Sequence, residues 1–313
     1  WLNNAATNEN RGKVLSAYMV MQTLGLIGAQ ALLGAGDETG SVLFILASIL
    51  VSLAFAPILL AATPVPAAEL TCALSILQLS RRAPLSTVGI FLLGGIYATQ
   101  TGMGAVFGSQ IGLTTGEVAL MVAAFFAGAL VLQFPIGWLS DRMDRRALIC
   151  GAAALGALAC LVGWHFQGGR EVLLAAAFLS GGMTAPLYAL FLAYANDWLA
   201  QDEMAAASGG LIFTFGLGAI LGPLATGAAM EAYGAYSFWL VMAVTFAVIA
   251  LYALWRMTQR AAMPSEETES YLGVLPSVSA VAVQAAVEWS AEQAEQVAED
   301  GLSEPSGGHG DRT

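Results

Sequence analysis

Charge is what this chain has least of. Only 11% of its 313 residues are Asp, Glu, Lys or Arg, against about 25% in an average soluble domain, too few to coat a water-facing surface of this size. Eleven basic residues against 22 acidic ones, a formal net charge of −11, exclude the clustered Lys and Arg that a nucleic-acid partner requires. The three cysteines, Cys72, Cys150 and Cys160, fall at no shared spacing, so neither a disulfide framework nor a thiolate metal site is indicated. Two histidines, one of them in the terminal tail, supply neither metal ligands nor a general base. Together with the lack of clustered carboxylates or a nucleophile beside its base, this argues against an enzyme and calls for no cofactor. The chain opens on Trp1 without a basic-then-apolar leader, and is expected to be a fragment missing its beginning.

Apolar residues fill the space that charge leaves. They make up 58% of the chain, and its mean hydropathy is +0.72, as in a protein whose solvent is mostly lipid. Eight runs have the length, about 20 residues, that a helix needs to cross the hydrocarbon layer: Val14 to Leu33, Val42 to Ala62, Val88 to Phe107, Val118 to Leu139, Ala147 to Phe166, Val172 to Ala195, Gly209 to Met230 and Phe238 to Trp255. In lipid the backbone must satisfy its own hydrogen bonds, so such segments are helices. The expected fold is an all-α integral membrane bundle.

Basic residues orient it, because short cytoplasmic loops are enriched in them. Alternate loops carry Arg11 and Lys13, Arg81 and Arg82, then Arg142, Arg145 and Arg146, and finally Arg256 and Arg260. The opposite set holds only Arg170. The loop at Asp197, Asp202 and Glu203 joins the basic side by parity alone. Residues 63–87, with Pro64, Pro66 and Pro84, read as a linker between two bundles. From Pro264 onward ten acidic residues and one Arg give a net −9, so 261–313 reads as an acidic, solvated cytoplasmic tail.

Sliding the sequence on itself by 197 residues lays Trp1-Leu2 on Trp198-Leu199, Gly12 on Gly209 and Leu24-Gly25 on Leu221-Gly222. If this is an internal repeat, the helix near Val88 has a counterpart roughly 110 residues before Trp1, room for about four more crossings. That arithmetic predicts twelve helices in two halves of six, of which this chain holds the last eight. Residues 1–62 would then end the first half and 88–260 form the second.

Between the fourth and fifth segments stands GWLSDRMDRR, Gly137 to Arg146. With it go the opening WLNNAATNENRGKVLSAYM and, at the end of the sixth segment, PLYALFLAYANDWL. The first run resembles the loop signature of the major facilitator superfamily, a Gly and an Asp-Arg pair followed by a second basic cluster between helices eight and nine. The opening run is similar to that family's junction of helices four and five, and PLYALFLAYANDWL to the end of its helix ten. The resemblance covers nearly all of Trp1 to Arg260 and is nearest to bacterial members of uncharacterised substrate. It implies a secondary transporter in the bacterial inner membrane, with Gly137, Asp141, Arg142, Arg145 and Arg146 as the cytoplasmic gate motif. Asp144 departs from the Gly usual there, which puts the tightness of the turn in question. A carboxylate at Asp141 could accept hydrogen bonds from Arg145 in one packing state and release them in the other; the plainer role for the arginines is to set topology.

Polar stripes on the helices give candidate substrate contacts. Tyr97, Gln100, Thr101, Gly104 and Gly108 follow each other at helical spacing on the segment that the resemblance assigns to the cavity wall; the alternative is interhelical hydrogen bonding and close packing. Gln22 with Tyr18, Tyr188 with Thr184, and Gln133 near Pro135 extend the set. Gly104, Gly108, Gly218, Gly222 and Pro223 read as packing positions. His165 beside Trp164 reads as interfacial. No Asp, Glu, Lys or Arg lies mid-span, so the carboxylate that coupling to a proton would need is expected in the missing helices or is replaced by Glu117 or Glu171 at the outer interface. The expected function is movement of a small organic solute by alternating access, export preferred over uptake; a non-transporting scaffold or an uptake symporter are the alternatives.

Overall fold

A computed structural model describes residues 11–36, 41–60, 76–140, 142–167, 169–199 and 201–259. Asp141, Cys72, residues 1–10 and the acidic tail lie outside the described residues.

Each apolar run is helical: α1 (Arg11–Ala35), α2 (Val42–Leu60), α4 (Pro84–Ala98), α6 (Thr115–Ser140), α7 (Arg145–His165), α8 (Arg170–Asn196), α9 (Gln201–Tyr233) and α10 (Ser237–Gln259). A short α3 (Ile76–Arg82) precedes α4, and α4 passes through a π-helical turn, Thr99–Met103, into α5 (Gly104–Gln110). Among the described residues, seven spans are long and apolar enough to cross a membrane, and α2 adds a shorter apolar helix over Val42–Ala56. The chain is an all-α, multi-pass membrane protein.

Two boundaries differ from the hydropathy reading. Helix α4 starts at Pro84, inside the expected linker. Pro at the first helical position gives up an amide that would have no partner anyway, and buried Ser86 turns its hydroxyl to the Phe191 carbonyl at 2.6 Å. Helix α9 begins at Gln201 instead of Gly209, because its polar first turns extend the helix without adding to the apolar signal. At the opposite end of the bundle, the α5–α6 turn passes through Gly112 at φ +79°, and α6 opens on a reciprocal cap. There the Thr114 backbone amide and hydroxyl both donate to the Glu117 carboxylate at 3.0 Å, and the Glu117 amide donates back to the hydroxyl at 3.3 Å.

Helix α8 is the hub. It packs on α6, α7 and α4, while α7 pairs with α10, α4 with α9, and α1 with α6. Every residue of α8 from Ser180 to Asn196 is buried. Small residues allow this proximity, since lipid provides no hydrophobic force between helices and packing must hold them together. A Cβ added at Gly128 would overlap the Phe178 carbonyl, one at Gly218 the Phe91 carbonyl, and one at Gly222 the backbone of Gly95. Gly218→Val should therefore push α9 off α4 and destabilise the bundle by about 1–3 kcal/mol, read as a lower melting temperature in detergent; an unchanged melt would show that α9 can slide at no cost.

At the end away from α3, aromatic rings lock α10 to its neighbours. Phe107 stacks on Phe238 with centroids 4.8 Å apart and meets the Trp239 ring edge-on at 5.9 Å. Trp239 is fully buried and also touches Phe125 at 6.1 Å. Helix α2 has the contrary character: Phe44 is 78% exposed and Val42 67%, a lipid-ready surface.

Candidate functional site

Two regions gather the residues singled out by sequence. The first is the loop between α6 and α7. Gly137 and Ser140 are buried at the end of α6. Arg142 is exposed, lies over the Trp138 ring at 4.2 Å and donates to the Trp138 carbonyl at 3.0 Å. Asp144 caps α7: its carboxylate accepts from the Arg146 amide at 3.0 Å and from the Arg146 guanidinium at 3.2 and 2.9 Å. Its φ is −56°, ordinary for any L-residue, so this turn needs no left-handed backbone. That resolves the question raised by the departure from the pattern.

Arg145 has a partner that the sequence did not single out. Its Nη1 donates to Asp197 Oδ1 at 2.5 Å and to the Ala193 carbonyl at 3.4 Å, joining the start of α7 to the end of α8. Both side chains are almost wholly buried, 4% and 3% exposed, and Arg145 Nε and Nη2 have no partner among the described residues. This carboxylate is 52 residues away, visible in sequence only as an acidic loop that parity put on the same side. The pair confirms that the Arg145 and Asp197 loops share one end of the bundle.

Partial burial pushes the Asp144 carboxyl upward, but its hydrogen bonds to Arg146 and that residue's charge outweigh this, and the group sits below the ordinary carboxylate range. A depressed folded value means the cap's contribution is whole above about pH 4 and is lost as pH falls through the depressed value. Asp144→Ala should cost about 1 kcal/mol near neutrality and little in acid, measurable by thermal melts across pH.

The second region surrounds the π-helical turn. Tyr97 and Thr101 are half-buried and Gln100 is buried. The regular stripe expected of these residues is interrupted, because Thr99–Met103 is wound as a π-helix. Such insertions are energetically costly and recur at functional sites. Thr101 donates to the Tyr97 carbonyl at 2.9 Å, Thr99 shares a buried hydrogen bond with Thr226 of α9 at 3.1 Å, and Gln100 Nε2 is buried without a partner among the described residues. Phe215 of α9, not signalled by the sequence because a lone Phe in an apolar run carries no pattern, bridges two of the candidates. Its ring centroid is 5.8 Å from that of Tyr97 and 5.5 Å from that of Tyr188. Tyr188 is buried in the middle of α8.

The remaining candidates are dispersed. Gln22 on α1 and Gln133 on α6 are both half-buried, on two helices that pack together. Gly108 lies tightly against Val118, whereas a Cβ at Gly104 would make only ordinary contact with Met121 and Val122. Pro223 sits inside an uninterrupted α9. His165 is exposed and meets Phe166 edge-on at 5.0 Å. A separate apolar cleft of about 160 Å³ lies between α4, α9 and α10, with Gly95, Gly218, Gly222 and Thr99 among its lining residues. It does not contain Tyr97, Gln100 or Tyr188.

Comparison with known proteins agrees with the architecture. The chain is 27% identical over 238 residues to an uncharacterized MFS-type transporter, YcaD, of Escherichia fergusonii, covering 73% of this chain and 59% of the relative. It is 25% identical over 257 residues to the uncharacterized MFS-type transporter YfkF of Bacillus subtilis, covering 80% of this chain and 66% of that one. The matched part is thus under two thirds of the relatives' length. The family model described as Major Facilitator Superfamily matches residues 85–291, from the start of α4 past the end of α10. With its membrane-spanning helices and the Gly137 to Arg146 loop in place, the chain belongs to the major facilitator superfamily, a family of membrane transporters and not of enzymes.

Proposed function

We propose that the whole protein is a secondary transporter of the bacterial inner membrane. It moves a small organic solute by alternating access, and export is preferred over uptake. In this reading α1 and α2 end the first half of the fold, residues 63–87 connect the halves, α4 to α10 form the second six-helix bundle, and the Arg-rich end with the acidic tail faces the cytoplasm. Gly137, Asp141, Arg142, Arg145 and Arg146 belong to the cytoplasmic gate, and Tyr97, Gln100, Thr101, Gln22, Tyr188 and Gln133 to the substrate path.

The observation that carries it is the buried Arg145–Asp197 pair beneath the Gly137 to Arg146 loop. A rocking bundle needs a rigid edge to transmit motion, and this pair fuses the ends of α7 and α8 into one unit. Meanwhile the Arg145 Nε and Nη2 groups retain donor capacity for a carboxylate that arrives in one packing state only. The aromatic rings of Tyr97, Phe215 and Tyr188, without a fixed charge among them, suit an uncharged or amphiphilic solute.

Full-length protein reconstituted in liposomes should move a fluorescent amphiphile such as a rhodamine ester faster than protein-free liposomes, and Tyr97→Ala with Phe215→Ala should reduce that flux without unfolding the protein. Absence of flux from folded protein, for amphiphiles and polar metabolites alike, would favour a non-transporting scaffold.

A further inference from the structure

We propose that the acidic segment after α10, from Glu266 to Glu304, docks on the basic rim at the loop end of this same bundle.

The rim is made by three helix ends. Arg81 and Arg82 end α3 immediately before α4, Arg142 lies in the short turn between α6 and α7, and Arg256 lies in the last turn of α10. Antiparallel crossing puts all of them at one end, the end that also holds the Arg145–Asp197 pair. The rim's charges are unequally satisfied. Among the described residues, Asp144 is taken by Arg146 and Asp197 by Arg145, so these two carboxylates are already engaged. Arg81, Arg142 and Arg256 have no carboxylate partner among the described residues. Arg142 and Arg256 instead lie over the rings of Trp138 and Trp255, at 4.2 and 5.8 Å.

The occupant follows from connectivity and charge. Ten carboxylates against one Arg lie beyond Pro264, joined to the bundle at the end of α10, which packs directly on both α7 and α4. The neighbouring helix axes are about 8–10 Å away. Glu266, Glu267 and Glu269 follow Gln259 by seven to ten residues, enough extended chain for roughly 25–35 Å, so the first cluster reaches Arg142 or Arg81 without strain. Tethering makes the encounter intramolecular, at an effective concentration on the order of millimolar. An anionic lipid headgroup offers the same charge, but it must lie in the membrane plane, whereas Arg81 closes a helix that leads from the linker into the bundle. Neutralising the rim with its own tail would also explain why a membrane part carrying only −2 of the −11 is followed by so acidic an appendage.

The test replaces Arg81 and Arg142 by Lys, which keeps the charge and adds an amine that a zero-length carbodiimide can couple to a nearby carboxylate. Full chain in neutral-lipid nanodiscs should yield cross-linked peptides joining Lys at 81 or 142 to the Glu266–Glu269 or Glu288–Glu304 regions. Coupling should fall severalfold in about 1 M NaCl, where the screening length is about 3 Å, and in the Glu266→Gln, Glu267→Gln, Glu269→Gln variant. It should persist in nanodiscs containing about one-third phosphatidylglycerol, whose surface attracts basic residues by about 1 kcal/mol each. Loss of coupling there would assign the rim to lipid and overturn the proposal. So would the absence of tail coupling in neutral lipid from protein that elutes as a folded species.

Discussion

Asp197→Ala should be among the most damaging single substitutions in the chain. It leaves the Arg145 guanidinium, 4% exposed, with only the Ala193 carbonyl as partner among the described residues. Removing one member of a buried ion pair typically costs about 3–5 kcal/mol, most of it the penalty of a stranded charge. The double variant Arg145→Met, Asp197→Leu removes that charge and fills the space with apolar atoms, so it should recover most of the loss. Thermal unfolding of purified protein in one detergent, across wild type, both single variants and the double variant, gives the coupling energy directly. Equal melts for Asp197→Ala and wild type would mean that water reaches Arg145 freely. If transport is measured in parallel, the double variant separates rigidity from charge: a folded but inactive double variant would assign the pair a role in the transport cycle itself.

Trp239→Ala should be equally severe for a different reason. The ring is fully buried and is shared by Phe107, Phe125 and Phe238, while an added Cβ at Gly163 would already contact it. No neighbour can collapse into the space without leaving its own partner. Large-to-small aromatic changes cost about 3–5 kcal/mol when the cavity persists. Loss should concentrate in α10, so hydrogen exchange at its amides should rise before that of α8. Trp239→Phe should be much milder, since it keeps the ring and deletes an indole N–H that has no partner among the described residues. A Trp239→Ala variant as stable as wild type would show that the cavity closes.

Much of the architecture was legible because lipid makes the code simple. Length and apolarity alone locate the helices, and the run from Val88 to Phe107 is found even though a π-helical turn lies within it. The helix ends were harder: Pro84 and Gln201 begin helices in polar sequence, where hydropathy gives no signal. At the candidate site, residue types were readable but partners were not. Asp197 looked like part of an acidic loop on a side otherwise marked by arginine, and only the packing of α7 on α8 reveals why it must be there. Phe215 was invisible for the opposite reason, one apolar residue among many. Sequence also cannot register that the Thr99 to Met103 turn is wound with five residues in place of a regular α-turn, which shifts Gln100 and Thr101 relative to Tyr97.

The enclosure of α8 bears on how this sequence can change. Most membrane helices have one side that meets only lipid, where Leu, Ile, Val and Phe replace one another almost freely. Between Ser180 and Asn196 α8 has no such side, so tolerance to substitution there should show no helical rhythm and every position should resist enlargement. Divergence among relatives would then be channelled into α2 and the outer face of α9, leaving α8 as the slowest-drifting part of the bundle.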